Sequence, residues 1–524
     1  MNGLHFKRLL STQLGRRSFL KSAGGLAGIA LVSQWFRPAV AQPKFSAYPF
    51  SLGVASGEPL PDSVVLWTRL APDPLNGGGM PLVNIPVRWQ VATDSKMSRV
   101  VQRGTVMATP ELAHSVHVEV RGLQPAQSYW YQFKAGSEIS PIGRTRTAPP
   151  VGDRVEQMSF AFASCQNWQN GFYIAHKHLA EEDLDFVVFL GDYIYEYGAQ
   201  PDAPRQHKGS ECFTLADYRN RHAQYKTDPN LQAAHAAFPW IVTWDDHEVN
   251  NNYANLTPKD DQSQEEFWHR RASAYQAYYE HMPLRLMSLP KGADIQLYRR
   301  FTFGDLAQFS VLDTRQYRTD QPCGDDLQPR CAQALDETAT MMGFKQERWL
   351  LQGLNQSRVR WNAIAQQTML APYNLEPRLQ VGVFNMDQWD GYLAARDRLL
   401  NFLQQRQPAN PVVITGDIHS SCVNDLKADF SNPDSTTLAT EFVGTSISSS
   451  FPPEYVAAVQ RARTANPHTK FFEGTRHGYV RCRLTPKQWQ SDYRVVSGLL
   501  DPDATISTLA SLVVEDGRPG AQKV

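Results

Sequence analysis

Four short apolar runs in this chain each stop at residues suited to holding charge. The run 159–163 leads into Ser164-Cys165 and 186–190 into Gly191-Asp192. The run 240–244 leads into Asp245-Asp246-His247-Glu248, and 411–415 into Gly416-Asp417-Ile418-His419. Apolar runs this short, bounded by turn residues, predict buried strands. A terminal glycine lets the backbone turn tightly and presents the next aspartate beyond the strand. In open α/β sheets that carboxyl edge is where ligands bind. Four such endings demand a fold that gathers its strand ends on one edge. Tyr195 follows Asp192 by three residues and can point back to the same spot if the turn continues as a helical loop. Asp417 and His419 occupy alternate positions and can face one side. A carboxylate and a phenol converging on one point suit a hard, highly charged cation.

The amino end reads as an export signal. Lys7, Arg8, Arg16, Arg17 and Lys21 lie in a stretch without acids, and Arg16-Arg17-Ser18-Phe19-Leu20-Lys21 matches the twin-arginine pattern. A modest apolar run and the small residues Ala39-Val40-Ala41 follow, which places cleavage after residue 41. That run is too short to span a bilayer, and no later segment reads as transmembrane. The expectation is a periplasmic or secreted protein, carried by the twin-arginine translocation machinery. The full chain has 52 basic and 52 acidic residues, and the leader holds six basic and no acidic ones. Residues 42–524 therefore carry 46 basic against 52 acidic, a net charge of −6. Such a balance argues against a nucleic-acid partner, though not against a nucleotide substrate. Six cysteines are too few for a disulfide scaffold in 524 residues. Cys323 and Cys331 flank an acidic loop and suit pairing in an oxidising compartment, a pairing that the sequence leaves open.

Residues 44–150 read as an all-β domain of short alternating strands, with Thr147-Ala148-Pro149-Pro150 as its linker. Gly122-Leu123-Gln124-Pro125 followed by Tyr129-Trp130-Tyr131 resembles a fibronectin III module in which the first tyrosine braces a corner. From 155 to 524 strands alternate with helical patterns, the mark of an α/β layered domain.

The order Gly191-Asp192-x-x-Tyr195, Asp246-His247-Glu248, Gly416-Asp417-x-His419 is similar to the calcineurin-like metallophosphoesterases and purple acid phosphatases. With the leader, Ser164-Cys165 and Trp244-Asp245-Asp246-His247-Glu248-Val249, the chain resembles the PhoD-type alkaline phosphatases more closely, over nearly all of residues 42–524. The resemblance implies a metallophosphoesterase β-sandwich flanked by helices. It implies Asp192 bridging two cations, and Fe3+ held by Cys165, Tyr195 and His419. It also implies Ca2+ held by oxygens of Asp192, Asp417 and a residue within 246–252, for which Asp246 and Asn252 are taken. Where purple acid phosphatases carry further ligands, this chain has Asp246, Asp417 and the amides Gln366-Gln367. More oxygens and fewer nitrogens suit calcium. The implied chemistry is phosphoester hydrolysis by a metal-activated hydroxide at an Fe/Ca centre, with Asp246 in the catalytic set. His247 is the candidate acid, oriented by Asp245 or Glu248; Arg315 and the 385–390 loop are candidates for shaping the substrate site or, equally, for buried structural networks. The expected substrate is a phosphate ester: a nucleotide, sugar phosphate, phospholipid or teichoic-acid-like diester. A phosphodiesterase or phospholipase D-like activity, a metal-dependent oxidase and a secreted metal-containing binding protein are the alternatives. Open coordination positions at strand ends favour hydrolysis over a closed structural site.

Overall fold

All four apolar runs form strands in the computed structural model, which describes residues 44–524. They are Met158–Ala163, Phe186–Leu190, Pro239–Thr243 and Pro411–Thr415. The leader, with Arg16, Arg17 and Ala39-Val40-Ala41, lies outside the described residues. Among those described, no helix is long and apolar enough to cross a membrane.

The first three strands lie side by side and parallel in a ten-stranded sheet, with Phe186–Leu190 at the centre of the trio. The fourth lies in a seven-stranded sheet, parallel to Trp361–Ala365 and Thr437–Val443. The two sheets pack face to face. Phe160, Phe186 and Val188 of the first meet Phe309, Trp361 and Ile414 of the second in one fully buried cluster. Phe160 stacks on Phe186 at 5.2 Å, and both turn an edge to Phe309.

Each outer face is covered by helices. Helices Ile174–Ala180, Leu215–Lys226, Pro229–Ala237 and Gln264–His281 seal the first sheet over Val187, Phe189 and Trp240. Helices Gly343–Gln356 and Leu393–Arg406 seal the second over Ile364 and Val413. Because both faces of each inner strand are covered, every residue of Phe186–Leu190 is buried. That is why the run is continuously apolar rather than alternating. Two of these helices carry reciprocal side-chain start signals. Ser263 and Glu266 form a capping box, as do Thr214 and Asp217.

The amino-terminal strands do make a sandwich. Ile85–Ala92, Val100–Ala108 and Ser128–Ala135 pack through Val87, Val91 and Tyr131 onto Val64, Leu66 and Val118 of the facing sheet. Tyr129 Oη accepts from the Gln124 N–H at 2.9 Å, the corner brace expected of it. The facing sheet, however, is the ten-stranded sheet itself. Val54–Leu60 pairs in parallel with Pro239–Thr243, Ser56 opposite Pro239, and carries Ser63–Arg69 and Ser115–Arg121 beyond it. The expected linker is correspondingly no free tether. Ala148 is buried and its N–H bonds to the Leu60 carbonyl at 3.1 Å.

A buried ion cluster fastens this junction. Glu58 meets Arg299 at 2.5 Å and Arg285 at 3.5 Å, and Arg299 also donates to the Val242 carbonyl near the end of Pro239–Thr243. Removing the carboxylate leaves Arg299 without an acidic partner in the interior and Arg285 with only Glu119, 3.5 Å away. Glu58→Ala is expected to cost about 3–5 kcal/mol of unfolding free energy. Urea titration measures it, and a loss below about 1 kcal/mol would mean that the junction does not depend on this cluster.

Candidate metal centre

The strand ends of both sheets converge, and they do so through an unusual backbone. Cys165, Asp192, Asn252, Asp417 and His419 all have positive φ, between 52° and 63°. This left-handed region is costly for residues other than glycine, by roughly 1–3 kcal/mol each where it is fully strained. Five candidate ligands share it because each must reverse direction directly after a strand or turn to aim its side chain across the sheet edge. The glycines do related work. Gly191 (φ 106°) lies against Asp245, where a Cβ would meet the Asp245 Cβ at 2.5 Å, and a Cβ on Gly416 would collide with Ser164.

One half of the site gathers Cys165, Asp192 and His419, whose donor atoms lie within 4.8 Å of one another. Tyr195 sits among them. Its hydroxyl donates to Asp192 Oδ2 at 2.9 Å, lies 3.1 Å from His419 Nε2 and 2.6 Å from Ser449 Oγ. His419 Nδ1 faces the Ser450 carbonyl at 2.8 Å. A carbonyl only accepts, so Nδ1 carries a proton and Nε2 is the nitrogen turned toward the cluster, the orientation a metal ligand needs.

The other half gathers Asp192, Asp246 and His247, and beside it Asp245, Asp246 and Asp417. Two expectations about this half change. His247 is oriented neither by Asp245 nor by Glu248, since its Nδ1 meets Glu196 Oε2 at 2.7 Å. Asp245 is taken by Arg315. The Glu248 carboxylate accepts the N–H groups of Asp192, Tyr193 and Asp245, so it shapes the turn instead. Arg315 is likewise no substrate contact. It is wholly buried and ion-paired with Asp245 and, at 2.8 Å, Asp387, with Asp246 at 3.6 Å and Asp417 at 3.8 Å. A guanidinium so enclosed positions carboxylates and cannot reach a ligand. Gln388, which donates to Asp417, belongs to the same shell.

The turn 246–252 resolves as follows. Asp246 points its carboxylate inward and accepts the Asn252 N–H at 2.6 Å. The Asn250 side chain bonds Asp260, and the Asn252 amide nitrogen bonds Asp325 at the mouth of the site. Gln366 and Gln367 are not ligands here: Gln366 accepts from the Trp389 indole, while Gln367 ties Thr243 of one sheet to Leu312 beside the other. Cys323 and Cys331 form the disulfide whose pairing the sequence left open. Sequence reasoning missed Glu196 entirely. Its signal was adjacency, since it directly follows Tyr195 in a turn already marked as functional.

The electrostatics show a site short of positive charge. Burial pushes the Cys165 thiol and the Tyr195 phenol well up, and the Asp192 carboxylate beside each adds to the rise. Burial raises Asp417 to about 6, against the pull of Arg315, and with Asp192 raises Glu248 to about 8. Burial opposes charge on His247 too, but Glu196, Asp246 and Asp192 outweigh it and hold the imidazolium well above its usual range. Meanwhile Asp192 Oδ1 and Asp246 Oδ1 are buried without any hydrogen-bond partner. Orphaned carboxylate oxygens beside a thiol, a phenol and an imidazole fit cations, since buried charges are paired or coordinate metals.

Comparison with known proteins agrees. The PhoD-like phosphatase family matches residues 160–493, and the N-terminal domain of PhoD-like phosphatases matches residues 36–149. Alkaline phosphatase D of Bacillus subtilis (strain 168) is 52% identical over 524 residues, covering 97% of this chain and 89% of that protein. A solved structure described as that of PhoD superposes with a TM-score of 0.89 at 53% identity, covering 92% of this chain and 93% of that one.

The buried acids set a pH dependence for the metal-free protein. Glu248 titrates near 8 when folded, against about 4.3 when unfolded. Between those values the folded state holds a proton that the unfolded state has lost, so stability falls as pH rises. After chelation, the urea midpoint is expected to drop steadily from pH 6 to pH 9. Restoring divalent and ferric ions should raise the midpoint and flatten that slope. A chelated protein as stable at pH 9 as at pH 6 would contradict this electrostatic picture.

Proposed function

The chain belongs to the PhoD-like phosphatase family, and on that premise we propose an exported enzyme that cleaves phosphate esters at a two-cation centre built around Asp192. It is a hydrolase of phosphoric ester bonds. The observation that carries the site assignment is that Asp192 is common to the Cys165–His419 and Asp246–His247 groups, with one oxygen left unpartnered.

Cys165, Tyr195 and His419 would hold Fe3+ with Asp192, since a thiolate and a phenolate suit a ferric ion. Asp192, Asp246 and Asp417, with Asn252 at the mouth, offer the oxygens that suit Ca2+. When bound, such cations lower the pKa of a coordinated water and offset charge developing on the phosphoryl oxygens.

The chain's own groups do the rest. Glu196 accepts from His247 Nδ1, which leaves Nε2–H facing Asp192 and Asp246. Held cationic by those carboxylates, His247 is the acid that can give the departing alkoxide its proton at Nε2. Arg315 keeps Asp245, Asp387 and Asp417 apart and aligned, so Asp246 and Asp417 keep fixed positions as the substrate arrives. The substrate is a phosphate ester, with nucleotides, sugar phosphates, phospholipids and teichoic-acid-like diesters as the candidates. The location follows from the leader: Arg16-Arg17 direct export by the twin-arginine route to the periplasm or beyond.

Asp192→Asn removes the shared charge and should abolish metal content and turnover together. His247→Ala should keep the metals. It should lose about 10²–10⁴-fold on alkyl esters and far less on p-nitrophenyl esters, whose leaving group departs unaided. Equal losses on the two ester classes, with metals intact, would remove His247 from the acid role. Changing both Arg16 and Arg17 to lysine should trap the precursor in the cytoplasm. Fractionation reads this, and undiminished periplasmic activity of that variant would refute the export route.

A further inference from the structure

We propose that the cavity beside the candidate centre is a subsite for an uncharged, apolar substituent that stays on phosphorus, so that the preferred substrates are phosphodiesters of apolar alcohols. This rests on the phosphoester-hydrolase reading of the same site and extends it to a substrate class.

A cavity of about 440 Å³ opens directly against Asp417, His419 and Asn252. Its opposite wall is apolar. Met369, Tyr373 and Val459 belong to one core cluster there, with Phe451 and Phe472 packed against it. Tyr455, 40% exposed on helix Pro453–Ala462, stands at the rim. The wall is preformed. Tyr373 Oη donates to the Val459 carbonyl at 2.7 Å, and Asn374 and Asn466 exchange backbone-to-side-chain hydrogen bonds at 2.9 and 3.0 Å. Hydrolysis of the ester bond itself has no use for an aromatic wall. Such a wall gains free energy only by covering an apolar group, roughly in proportion to the area removed from water.

Charge narrows the ligand further. No lysine or arginine lines the cavity, and its carboxylates Asp325, Asp326, Asp387 and Asp390 are already paired with Lys259, Arg315, Arg318, Arg330 and Arg396 behind them. A second anionic group on the substrate would lose its water there and find no free cation among the lining residues. Position decides which substituent enters. His247, the acid for the departing group, is not part of the cavity wall, which lies on the Asp417–His419 side. The cavity therefore receives the alcohol that remains esterified.

The test uses the metal-loaded protein and p-nitrophenyl phosphodiesters that share a leaving group but retain a methyl, hexyl or 5-carboxypentyl group. kcat/KM should rise at least tenfold from methyl to hexyl. It should fall at least tenfold from hexyl to 5-carboxypentyl, which has nearly the same length and a terminal charge. Tyr455→Asp, a change at an exposed position, should shrink the hexyl-to-methyl ratio at least threefold. Calorimetric binding of the monohexyl and monomethyl esters of methylphosphonic acid should follow the same order without any turnover. Equal kcat/KM for all three diesters, or equal binding of the two phosphonates, would overturn the subsite and leave the hydrolase reading intact. Hexyl-selective binding with no turnover of any ester would uphold the subsite and overturn the hydrolase reading.

Discussion

A single buried cation, Arg315, keeps the two sheets in register at the edge where they matter. It follows the strand Ala307–Val311 of the seven-stranded sheet, yet it is ion-paired with Asp245, which follows Pro239–Thr243 of the other sheet. Asp387 grips it from the second side and is itself held by Arg318 at 2.6 Å. Gln367 makes a parallel, neutral link between Thr243 and Leu312. A centre assembled from strand ends on separate sheets tolerates little sliding, because donor atoms within 4.8 Å of one another stop converging if either sheet shifts. The polar layer at this edge thus does what apolar packing cannot: it specifies position as well as proximity.

That division explains how much was legible in the residues alone. Strand ends were legible because burial on both faces forces continuous apolar runs, and the abrupt change to Cys165, Asp192, Asp246 and Asp417 marks where apolar packing gives way to chemistry. The layered fold followed from the same alternation of strand and helix patterns. Partnerships across the fold were not legible. That Glu196, rather than Asp245 or Glu248, faces His247 depends on how two turns from neighbouring strands meet, and nothing local encodes it. For Arg315 the residues alone did not separate a substrate contact from a buried structural network. Its neighbours in space come from residues 245, 387 and 417, and only the fold reveals that they enclose it.

The amino-terminal region shows the same limit at a larger scale. Its turn signals and the Tyr129 corner pointed correctly to a β-sandwich. One of its two sheets, though, is shared with the catalytic layer through the parallel pairing of Ser56 with Pro239. Parallel pairing between distant segments leaves no sequence mark, since the partner strand is apolar whichever neighbour it meets.

That shared sheet bears on the order of events as the chain is made. Val54–Leu60 waits for residues near 239 before it has a parallel neighbour. Met158–Ala163 waits for Gly478–Leu484, which closes its other side. Arg518–Lys523, at one edge of the same sheet, comes later still in the chain. Contacts this remote in sequence form late and slowly. The central layer therefore cannot close while its carboxyl-terminal strands are still inside the ribosome. The edge that gathers Cys165, Asp192 and Asp246 therefore lacks one flanking strand until residues 478–484 have been made.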